Sequence, residues 1–251
     1  MIVIKSDSDI RLMRKAGSVT AAALNTAGRS IKPGMSTLEL DAIVEDCIRS
    51  KGAIPSFKGY GGFPGSACIS LNNVVIHGIP RNDIIIKEGD IVSVDVGAFI
   101  NGFHGDSAAT FAVGKVADNA QLLMNTTKQA LANVHPILKA GVRLGDIGHT
   151  VQSYCESFGF GVVRDFVGHA IGRQLHEDPS VPNYGKAGHG MRLPKGSTVA
   201  IEPMINEGTH KVIIDSKDGW TVTTADGKLS AHFEHTFYID DSCAHILTVE
   251  D

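Results

Sequence analysis

The chain has 251 residues, of which 43% are hydrophobic and 20% charged, and its formal net charge is −4 at pH 7. This balance, with no basic block and no acidic tail, argues against nucleic-acid binding, and no stretch reaches the roughly 18 apolar residues of a membrane span. The four cysteines form no CxxC pair and the first residues lack a signal-peptide pattern, so we expect a soluble, cytoplasmic protein without a disulfide framework.

The first half of the chain predicts two helices. Apolar residues at helical spacing indicate a first helix that is capped by Ser8 or Asp9 and runs to about Arg29. Ser36-Thr-Leu-Glu39 has the form of a capping box, in which each end residue bonds the backbone N–H of the other. This box opens a second helix that continues to about Lys51.

Short strands follow these helices. Two of them flank an Asn72-Asn73 turn, and a third ends near Asp95. Asn101-Gly102 is a strong hairpin signal, so the strand through Asp106 should run back antiparallel to the strand of Asp95. We therefore expect Asp95 and Asp106 to be cross-strand neighbours.

The second half repeats this plan. It predicts helices at about Asn119–Val134 and Asp146–Phe158. Strands follow at Phe166–His169, Thr198–Glu202 and His232–Asp240. The loop between the last two strands is longer than its counterpart in the first half and contains turn signals of its own.

A fixed offset relates the two halves. Glu202 lies 107 residues after Asp95. The same offset aligns five pairs of identical residues: Lys32 and Lys139, Gly34 and Gly141, Val44 and Val151, Ser50 and Ser157, and Gly52 and Gly159. We therefore expect a single domain, residues 1–251, made of two related halves of about 1–115 and 116–251, with Asp95 and Glu202 related by a pseudo-two-fold axis.

Four carboxylates fall at matching places in these halves. Asp95 and Asp106 lie on one predicted hairpin, and Glu202 and Glu234 lie on its counterpart. Any one acid is equally well explained as an ordinary turn residue, but four buried like charges repel one another and need a compensating cation. Together with His169 at a strand end, they form an oxygen-rich set that suits two Mn²⁺, Fe²⁺ or Co²⁺ ions, with Zn²⁺ as an alternative.

Five short motifs resemble those of a known family. Asp95, Asp106, His169, Glu202 and Glu234 stand in VDVG, FHGDS, GHAIG, IEPM and FEHT, and in this order and spacing they resemble the metal ligands of type I methionine aminopeptidases. The resemblance extends from the first helix to the last strand. It implies the pita-bread fold of the α/β (α+β) class, in which two pseudo-symmetric halves surround a curved antiparallel sheet with helices on its outer face.

The resemblance also implies a role for each ligand. It makes Asp106 and Glu234 the bridges between two metal ions, Asp95 a ligand of one ion, and His169 with Glu202 the ligands of the other. Glu202 is further implied as the general base that takes a proton from the attacking water and passes it on.

Two histidines outside the ligand set are implied as catalytic. His176 would contact the scissile carbonyl and stabilise the oxyanion, whereas His77 would contact the substrate amide and assist the leaving group. Taken alone, each is more often an ordinary core or surface histidine. His104 and His235 flank ligands, and we expect them to support those ligands from outside.

The implied substrate is a polypeptide with an N-terminal methionine and a small second residue. Five residues match family pocket positions and are expected to bind the methionine side chain: Tyr60, Phe63, Cys68, Leu175 and Trp220. Asn72, Val74 and Ser230 match positions that bind a monovalent cation in some relatives. The implied partners are nascent polypeptide N-termini, with ribosome contact left open, and the implied state is a monomer that binds neither nucleic acid nor membrane.

Four sites depart from the family pattern. Ala170 stands where Gly is frequent, Ile76 where Cys is common, His232-Phe233 where Gln-Tyr is frequent, and Leu175 where an aromatic residue is often found. None of these residues is an implied ligand. The departures therefore affect the shape of the pocket and the rate rather than the type of reaction.

Three alternatives remain open on the sequence alone. A proline-specific aminopeptidase or prolidase has similar ligands but carries an additional N-terminal domain, for which Asp95 comes too early in the chain. A non-catalytic binding protein on the same scaffold would be expected to have lost ligands, whereas this chain keeps all five. A dinuclear phosphoesterase would be expected to need a basic or Gly-rich phosphate cradle, which the sequence lacks.

Overall fold

The computed structural model describes residues 1–250. Four α-helices lie within them: α1 (Asp7–Ser30), α2 (Thr37–Ser50), α3 (Asp118–Val134) and α4 (Leu144–Glu156). Single turns of 3₁₀ helix occur at Tyr60–Gly62 and His135–Ile137. The strands are β1 (Ile54–Pro55), β2 (Ala67–Leu71), β3 (Val74–Ile76), β4 (Ile91–Ile100), β5 (Phe103–Ala112), β6 (Gly161–Val162), β7 (Gly168–Ala170), β8 (Glu177–Val181), β9 (Thr198–Ile201), β10 (Met204–Asn206), β11 (Val212–Ile214), β12 (Val222–Thr224), β13 (Ser230–His232), β14 (His235–Ile239) and β15 (Ala244–Ile246).

All strand pairs within residues 1–250 are antiparallel. In the first half, β4 and β5 form a long hairpin, and β1 and β2 pair with β4. The main sheet of the second half has the order β15-β14-β9-β7-β8. The halves meet where the Glu234 N–H donates to the Ala108 carbonyl at 2.9 Å. Helices cover the strands, because α1 packs on β4 and β5 and α3 packs on β10 and β13.

Two backbone hydrogen bonds lie at the offset of the predicted repeat. The Gly34 N–H donates to the Ile86 carbonyl at 2.8 Å, and the Gly141 N–H donates to the Leu193 carbonyl at 2.7 Å. Both the donors and the acceptors of these bonds are 107 residues apart. Gly34 and Gly141 also share a left-handed backbone, with φ of 88° and 91°, which explains why glycine stands at both positions.

Each half has a hydrophobic core of its own. The core of the first half lies between α1, α2 and the sheet of β4, and it includes the fully buried Leu40 and Val94. The core of the second half lies around α3, α4 and β9, and it includes the fully buried Leu123 and Val199. A third, smaller cluster between the halves contains Phe63 and is the one that borders the predicted pocket.

The first helix starts earlier than predicted. Ser6, rather than Ser8 or Asp9, is its N-cap: the Ser6 hydroxyl accepts the Asp9 N–H, and the Asp9 carboxylate accepts the Ser6 N–H. This is a capping box with Asp in place of the usual Glu or Gln, which explains the early start. The box predicted at Ser36–Glu39 is confirmed.

The Asn101-Gly102 hairpin forms as predicted. Both residues have positive φ, 55° and 84°, as a two-residue type I′ turn requires. The register pairs Asp95 with Ala108 and Asp106 with Gly97. Asp95 and Asp106 are therefore diagonal neighbours on one face of the hairpin rather than directly opposed residues.

The strand predicted at His232–Asp240 is interrupted, and β13 and β14 leave Phe233 and Glu234 between them. The opposite strand is interrupted at the same level, because Pro203 has no backbone N–H to donate. The pairing register is continuous across the gap, which places Glu202 directly opposite Glu234. Glu202 and Glu234 are thus directly opposed across their strands, whereas Asp95 and Asp106 are diagonal neighbours.

No helix among residues 1–250 is both long enough and apolar enough to cross a membrane. This agrees with the absence of a long apolar stretch in the sequence.

Candidate metal centre and substrate pocket

A cavity of about 130 Å³ brings the predicted site residues together. It is lined by Phe57, Tyr60, Phe63, Cys68, His77, Asp95, Asp106, His169, Leu175, His176, Glu202, Trp220 and Glu234. All twelve residues that the sequence analysis assigned to ligands, catalysis or substrate binding are in this set. Phe57 is the single addition, and it supplies a further aromatic wall.

Strand ends and strand centres from both halves position the five proposed ligands. Asp95 and Asp106 come from the β4–β5 hairpin, His169 lies at the centre of β7, and Glu202 and Glu234 occupy the gap beside β9 and β14. The His169 Nε2 lies 3.8 Å from an Asp106 carboxylate oxygen and 3.7 Å from a Glu202 carboxylate oxygen. These contacts converge on one point inside the cavity.

The geometry of His169 suits a metal ligand. Its Nδ1 lies 3.0 Å from the Ala170 carbonyl oxygen, and a carbonyl can only accept a hydrogen bond. The proton is therefore on Nδ1, and the lone pair of Nε2 points towards Asp106 and Glu202. Burial lowers the pKa of His169 to about 3, so the imidazole is neutral and able to coordinate.

Asp106 and Glu234 are buried, Asp95 and Glu202 are partly buried, and the four carboxylates lack enough hydrogen-bond donors. One oxygen each of Asp95, Asp106 and Glu234 is buried without a hydrogen-bond partner. Burial raises the pKa of Asp95 to about 7 and that of Glu202 to about 8. Burial and the neighbouring acids also raise the pKa of Asp106 and of Glu234 well above the usual value. Such a site is unfavourable without a cation.

These observations test whether a metal would fit. Ligand atoms of Asp106, His169 and Glu234 all lie within 4.8 Å of one another, and all three residues are buried. Unpartnered carboxylate oxygens with a neutral imidazole are the donors that divalent cations of intermediate hardness prefer. The residues present therefore fit a metal ion, and this cluster could hold one.

The two proposed catalytic histidines border this cluster. The ring of His176 packs edge-on against His169, with 4.2 Å between the ring centroids, and its Nδ1 lies 2.7 Å from the Tyr60 hydroxyl. His77 has a left-handed backbone with φ of 58°, and its ring meets the edge of Trp220. Burial lowers the pKa of His77 to about 4 and also lowers that of His176, so both are neutral at pH 7.

The predicted pocket residues form an apolar wall beside the acids. Phe63 and Trp220 pack edge to face at 5.3 Å between centroids, and Leu175 is buried against the same cluster. Burial and the nearby Asp95 raise the pKa of the Cys68 thiol well above its usual value, so that side chain behaves as a small apolar group. The cavity therefore has an anionic end and an apolar end.

Sequence reasoning missed a histidine next to this centre. His232 is fully buried, and its Nε2 has no hydrogen-bond partner but lies 3.5 Å from a Glu202 carboxylate oxygen. His104 instead bonds the Ser56 hydroxyl, and His235 bonds the Thr248 hydroxyl. The two-residue spacing from His232 to Glu234 was an available signal, because alternate residues of a strand share a face.

The residues matched to a cation site also come together. The Ser230 N–H donates to the Asn72 carbonyl at 2.8 Å. Val74, two residues after Asn72, is the first residue of β3. Asn72 has a left-handed backbone with φ of 53°, which turns the chain between β2 and β3.

Comparison with known proteins places this geometry in a family. The family model described as metallopeptidase family M24 matches residues 11–241. The chain belongs to metallopeptidase family M24. Among its M24 relatives, "Methionine aminopeptidase" of Clostridium acetobutylicum is 51% identical over 249 residues, which cover 99% of each chain. "Methionine aminopeptidase 1" of Bacillus subtilis is 47% identical over 99% of each chain.

Solved structures share the architecture of this chain. The methionine aminopeptidase structure from Thermotoga maritima matches with a TM-score of 0.97 at 46% identity, over 100% of both chains. This likeness confirms the predicted pita-bread fold. The prolidase from Pyrococcus furiosus matches with a TM-score of 0.80 at 22% identity, over 99% of this chain but only 66% of its own. That second likeness concerns the fold alone.

Proposed function

We propose that this M24 chain removes the N-terminal methionine from polypeptides whose second residue is small. The observation that carries the proposal is a single small cavity that joins five metal-type ligands to an apolar pocket. The relatives that match over nearly their full length are named methionine aminopeptidases, which supports the same reaction. The chain is accordingly assigned as a metal-dependent hydrolase.

The ligand assignment is part of the proposal. Asp106 and Glu234 would bridge two divalent ions, Asp95 would bind one of them, and His169 with Glu202 would bind the other. The donor set of one imidazole and four carboxylates favours Mn²⁺, Fe²⁺ or Co²⁺, with Zn²⁺ as an alternative. Divalent ions held there would supply Lewis acidity to the scissile carbonyl and to a water.

Glu202 is the proposed general base. It lines the cavity and borders the ligand cluster, so its carboxylate is placed to accept a proton from a water in the cavity. One of its oxygens faces His169 and the other faces His232. The carboxylate is thereby oriented to take a proton from the attacking water and to pass it on towards the leaving amine.

His176 and His77 are the proposed hydrogen-bond donors to the substrate. Both line the cavity, and both are neutral, so each has one ring N–H to offer. His176 borders His169 and is assigned to the scissile carbonyl oxygen, where a donor stabilises the developing oxyanion. His77 borders Trp220 and is assigned to the substrate amide and the leaving group.

The apolar end is proposed to select methionine. Tyr60, Phe63, Cys68, Leu175 and Trp220 supply its walls, and Phe57 is added to them. The cavity volume of about 130 Å³ limits the occupant to about one side chain. An unbranched thioether fills such a narrow apolar space without a polar group that needs a partner.

The substrates, the cellular location, the oligomeric state and a monovalent cation are proposed from the resemblance to methionine aminopeptidases. Nascent polypeptide N-termini would be the substrates, in the cytoplasm, and the chain would act as a monomer; contact with the ribosome is left to experiment. Asn72, Val74 and Ser230 would hold a monovalent cation that fixes the turn between β2 and β3 beside β13.

A peptide assay tests the proposed function. The metal-loaded protein should release Met from Met-Ala-Gly, and a chelator should abolish the release. A protein that cleaves only before proline would be a prolidase-type enzyme, and one that binds the peptides without cleaving them would be a binding protein.

A further inference from the structure

A buried ion pair joins the N-terminal segment to the loop that carries His176. The Lys5 ammonium lies 2.5 Å from a Glu177 carboxylate oxygen, and the two side chains are 3% and 8% exposed. Lys5 is fixed on its own side, because its Nζ also donates to the Val3 carbonyl and its backbone N–H donates to the Gly196 carbonyl. Among residues 1–250, no other cationic side chain forms an ion pair with Glu177.

Glu177 closes the base of a hairpin loop. Residues 171–176 connect β7, which holds His169, to β8, which begins at Glu177, and Ala170 pairs with Glu177 across the base. The second Glu177 carboxylate oxygen accepts the backbone N–H of Arg173 at 2.9 Å. One carboxylate therefore ties the near side of the loop to the far side and to Lys5.

The space around the ion pair has no room for another side chain. A Cβ at Gly172 would lie 2.5 Å from a Glu177 carboxylate oxygen and 2.5 Å from the Lys5 side chain. The Gly172 carbonyl accepts the His104 N–H at 2.9 Å, which holds the loop against β5. The loop is thus packed so tightly that a substitution at Lys5 should shift the other residues of the loop.

Burial of this ion pair has a large desolvation cost, which makes its position informative. Two charges taken out of water lose hydration that their attraction only partly returns, so buried pairs are weak sources of net stability. Such a pair is better explained by the geometry that it enforces. The residue directly before Glu177 is His176, and the residue before that is Leu175, a wall of the methionine pocket.

We propose that Lys5 is a positioning residue that acts through Glu177 to hold His176 against His169 in the reactive cavity. Lys5 itself does not line the cavity. The proposal rests on the proposed function for the role of His176. It assigns a contribution to the N-terminal segment before α1, which lies outside all five motifs.

A double-mutant cycle tests this assignment on the metal-loaded protein. Lys5→Met removes the charge and keeps the length of the side chain. We expect it to lower kcat for Met-Ala-Gly by about 10- to 100-fold, because a displacement of about 1 Å can cost roughly 10² in rate. In a His176→Ala background the same substitution should leave kcat unchanged, since the group being positioned is gone. An equal loss in both backgrounds, or no loss in either, would overturn the proposal.

Two further variants separate positioning from folding. Lys195→Met is the matched control, because Lys195 is a half-exposed lysine that pairs with Asp240 and Asp241 away from the cavity. It should keep the wild-type kcat. If Lys5→Met alone does not fold, the neutral pair Lys5→Met/Glu177→Gln avoids an uncompensated buried charge. It should show the same loss of kcat when His176 is present and no loss when it is combined with His176→Ala.

A crystal structure of the metal-loaded Lys5→Met or neutral-pair variant decides the matter without turnover. The His176 ring should move away from its edge-on contact with His169, while His169 stays in place. An unmoved His176 would overturn the proposal. If the wild type releases no methionine, the proposed function fails, and the structure of the variant still shows whether Lys5 positions His176.

Discussion

Glu202 lies between two buried imidazoles: one carboxylate oxygen is 3.7 Å from His169 Nε2, and the other is 3.5 Å from His232 Nε2. His169 belongs to the proposed ligand set, whereas His232 does not. Since the Nε2 of His232 has no other hydrogen-bond partner, Glu202 is the acceptor available to it. His232 is therefore the imidazole that can orient the proposed base, because the Nε2 of His169 carries no proton to donate.

His232 should thus support the metal centre through Glu202. Residues that orient a ligand typically change metal affinity by about 10- to 100-fold when they are removed. We expect His232→Leu to weaken Mn²⁺ binding by roughly that factor. His232→Gln, which keeps an N–H donor, should bind Mn²⁺ nearly as well as the wild type. Calorimetric titration of the metal-free proteins measures both, and equal weakening by Gln and Leu would instead mean that the imidazole itself is needed.

The bridging assignment predicts an order of metal affinities. Asp106→Asn and Glu234→Gln each remove a carboxylate from both proposed ions, whereas Asp95→Asn removes one from a single ion. The first two variants should therefore lose more affinity, and their stoichiometry should fall below two ions per chain. Calorimetry with Mn²⁺ or Co²⁺ provides the test. Equal affinity in all three variants would contradict the bridging roles.

The raised pKa values of Asp95 and Glu202 predict how stability depends on pH. Without metal, the folded state holds protons on these groups up to about pH 7 to 8, whereas the unfolded chain releases them near pH 4. The folded state therefore binds more protons in this window, and the stability of the metal-free protein should fall as pH rises from about 5 to 8. Bound metal should remove most of this dependence. Thermal unfolding at several pH values, with and without Mn²⁺, measures the difference.

Much of the site could be predicted because short motifs fix chemistry at known spacing. All five proposed ligands, with His77 and His176, line the cavity as their motifs indicated. The Asn101-Gly102 turn could be predicted from the two residues alone, because a type I′ turn needs positive φ at two successive positions and few residue pairs other than Asn-Gly adopt it.

Other features depend on contacts that no local pattern reports. The diagonal placement of Asp95 and Asp106 follows from the strand register, and the gap before β14 follows from Pro203, which lies between β9 and β10. His232 comes beside Glu202 through the pairing of β13 with β10, which sets Met204 opposite His232. The Lys5–Glu177 pair joins residues 172 positions apart, so neither sequence neighbourhood indicates it.

The two-half interpretation makes a geometric prediction of its own. If residues 1–115 and 116–251 are true repeats, superposing them should bring α2 onto α4 and the Cα of Asp95 onto that of Glu202. The equivalent hydrogen bonds that Gly34 donates to Ile86 and Gly141 donates to Leu193 support this expectation. A crystal structure measures the fit, and acids falling on unrelated elements would contradict the repeat.

Glu202→Gln should remove most of the activity while keeping the fold. The substitution preserves volume but removes the group that accepts a proton, and general-base catalysis typically contributes about 10²- to 10⁴-fold. We expect kcat for Met-Ala-Gly to fall by about that factor with an unchanged circular dichroism spectrum. Because Glu202 is also a proposed ligand, metal content must be measured for the same sample. Near-wild-type activity in a metal-replete variant would contradict the role of base.

Substrate selection should depend on both sides of the scissile bond. The cavity has room for about one side chain beyond the acids, so the second residue of the substrate must lie against the site wall, where a large side chain would displace the scissile carbonyl. A displacement of about 1 Å can cost roughly 10² in rate, so Met-Ala-Gly and Met-Gly-Gly should be cleaved and Met-Lys-Gly should not. Leu has as many side-chain heavy atoms as Met but is branched at Cγ, so it should fit the narrow apolar pocket less well and make Leu-Ala-Gly a slow substrate. A panel of Met-X-Gly and Leu-X-Gly peptides measures kcat/KM for each, and efficient cleavage of Met-Lys-Gly would refute this account of specificity.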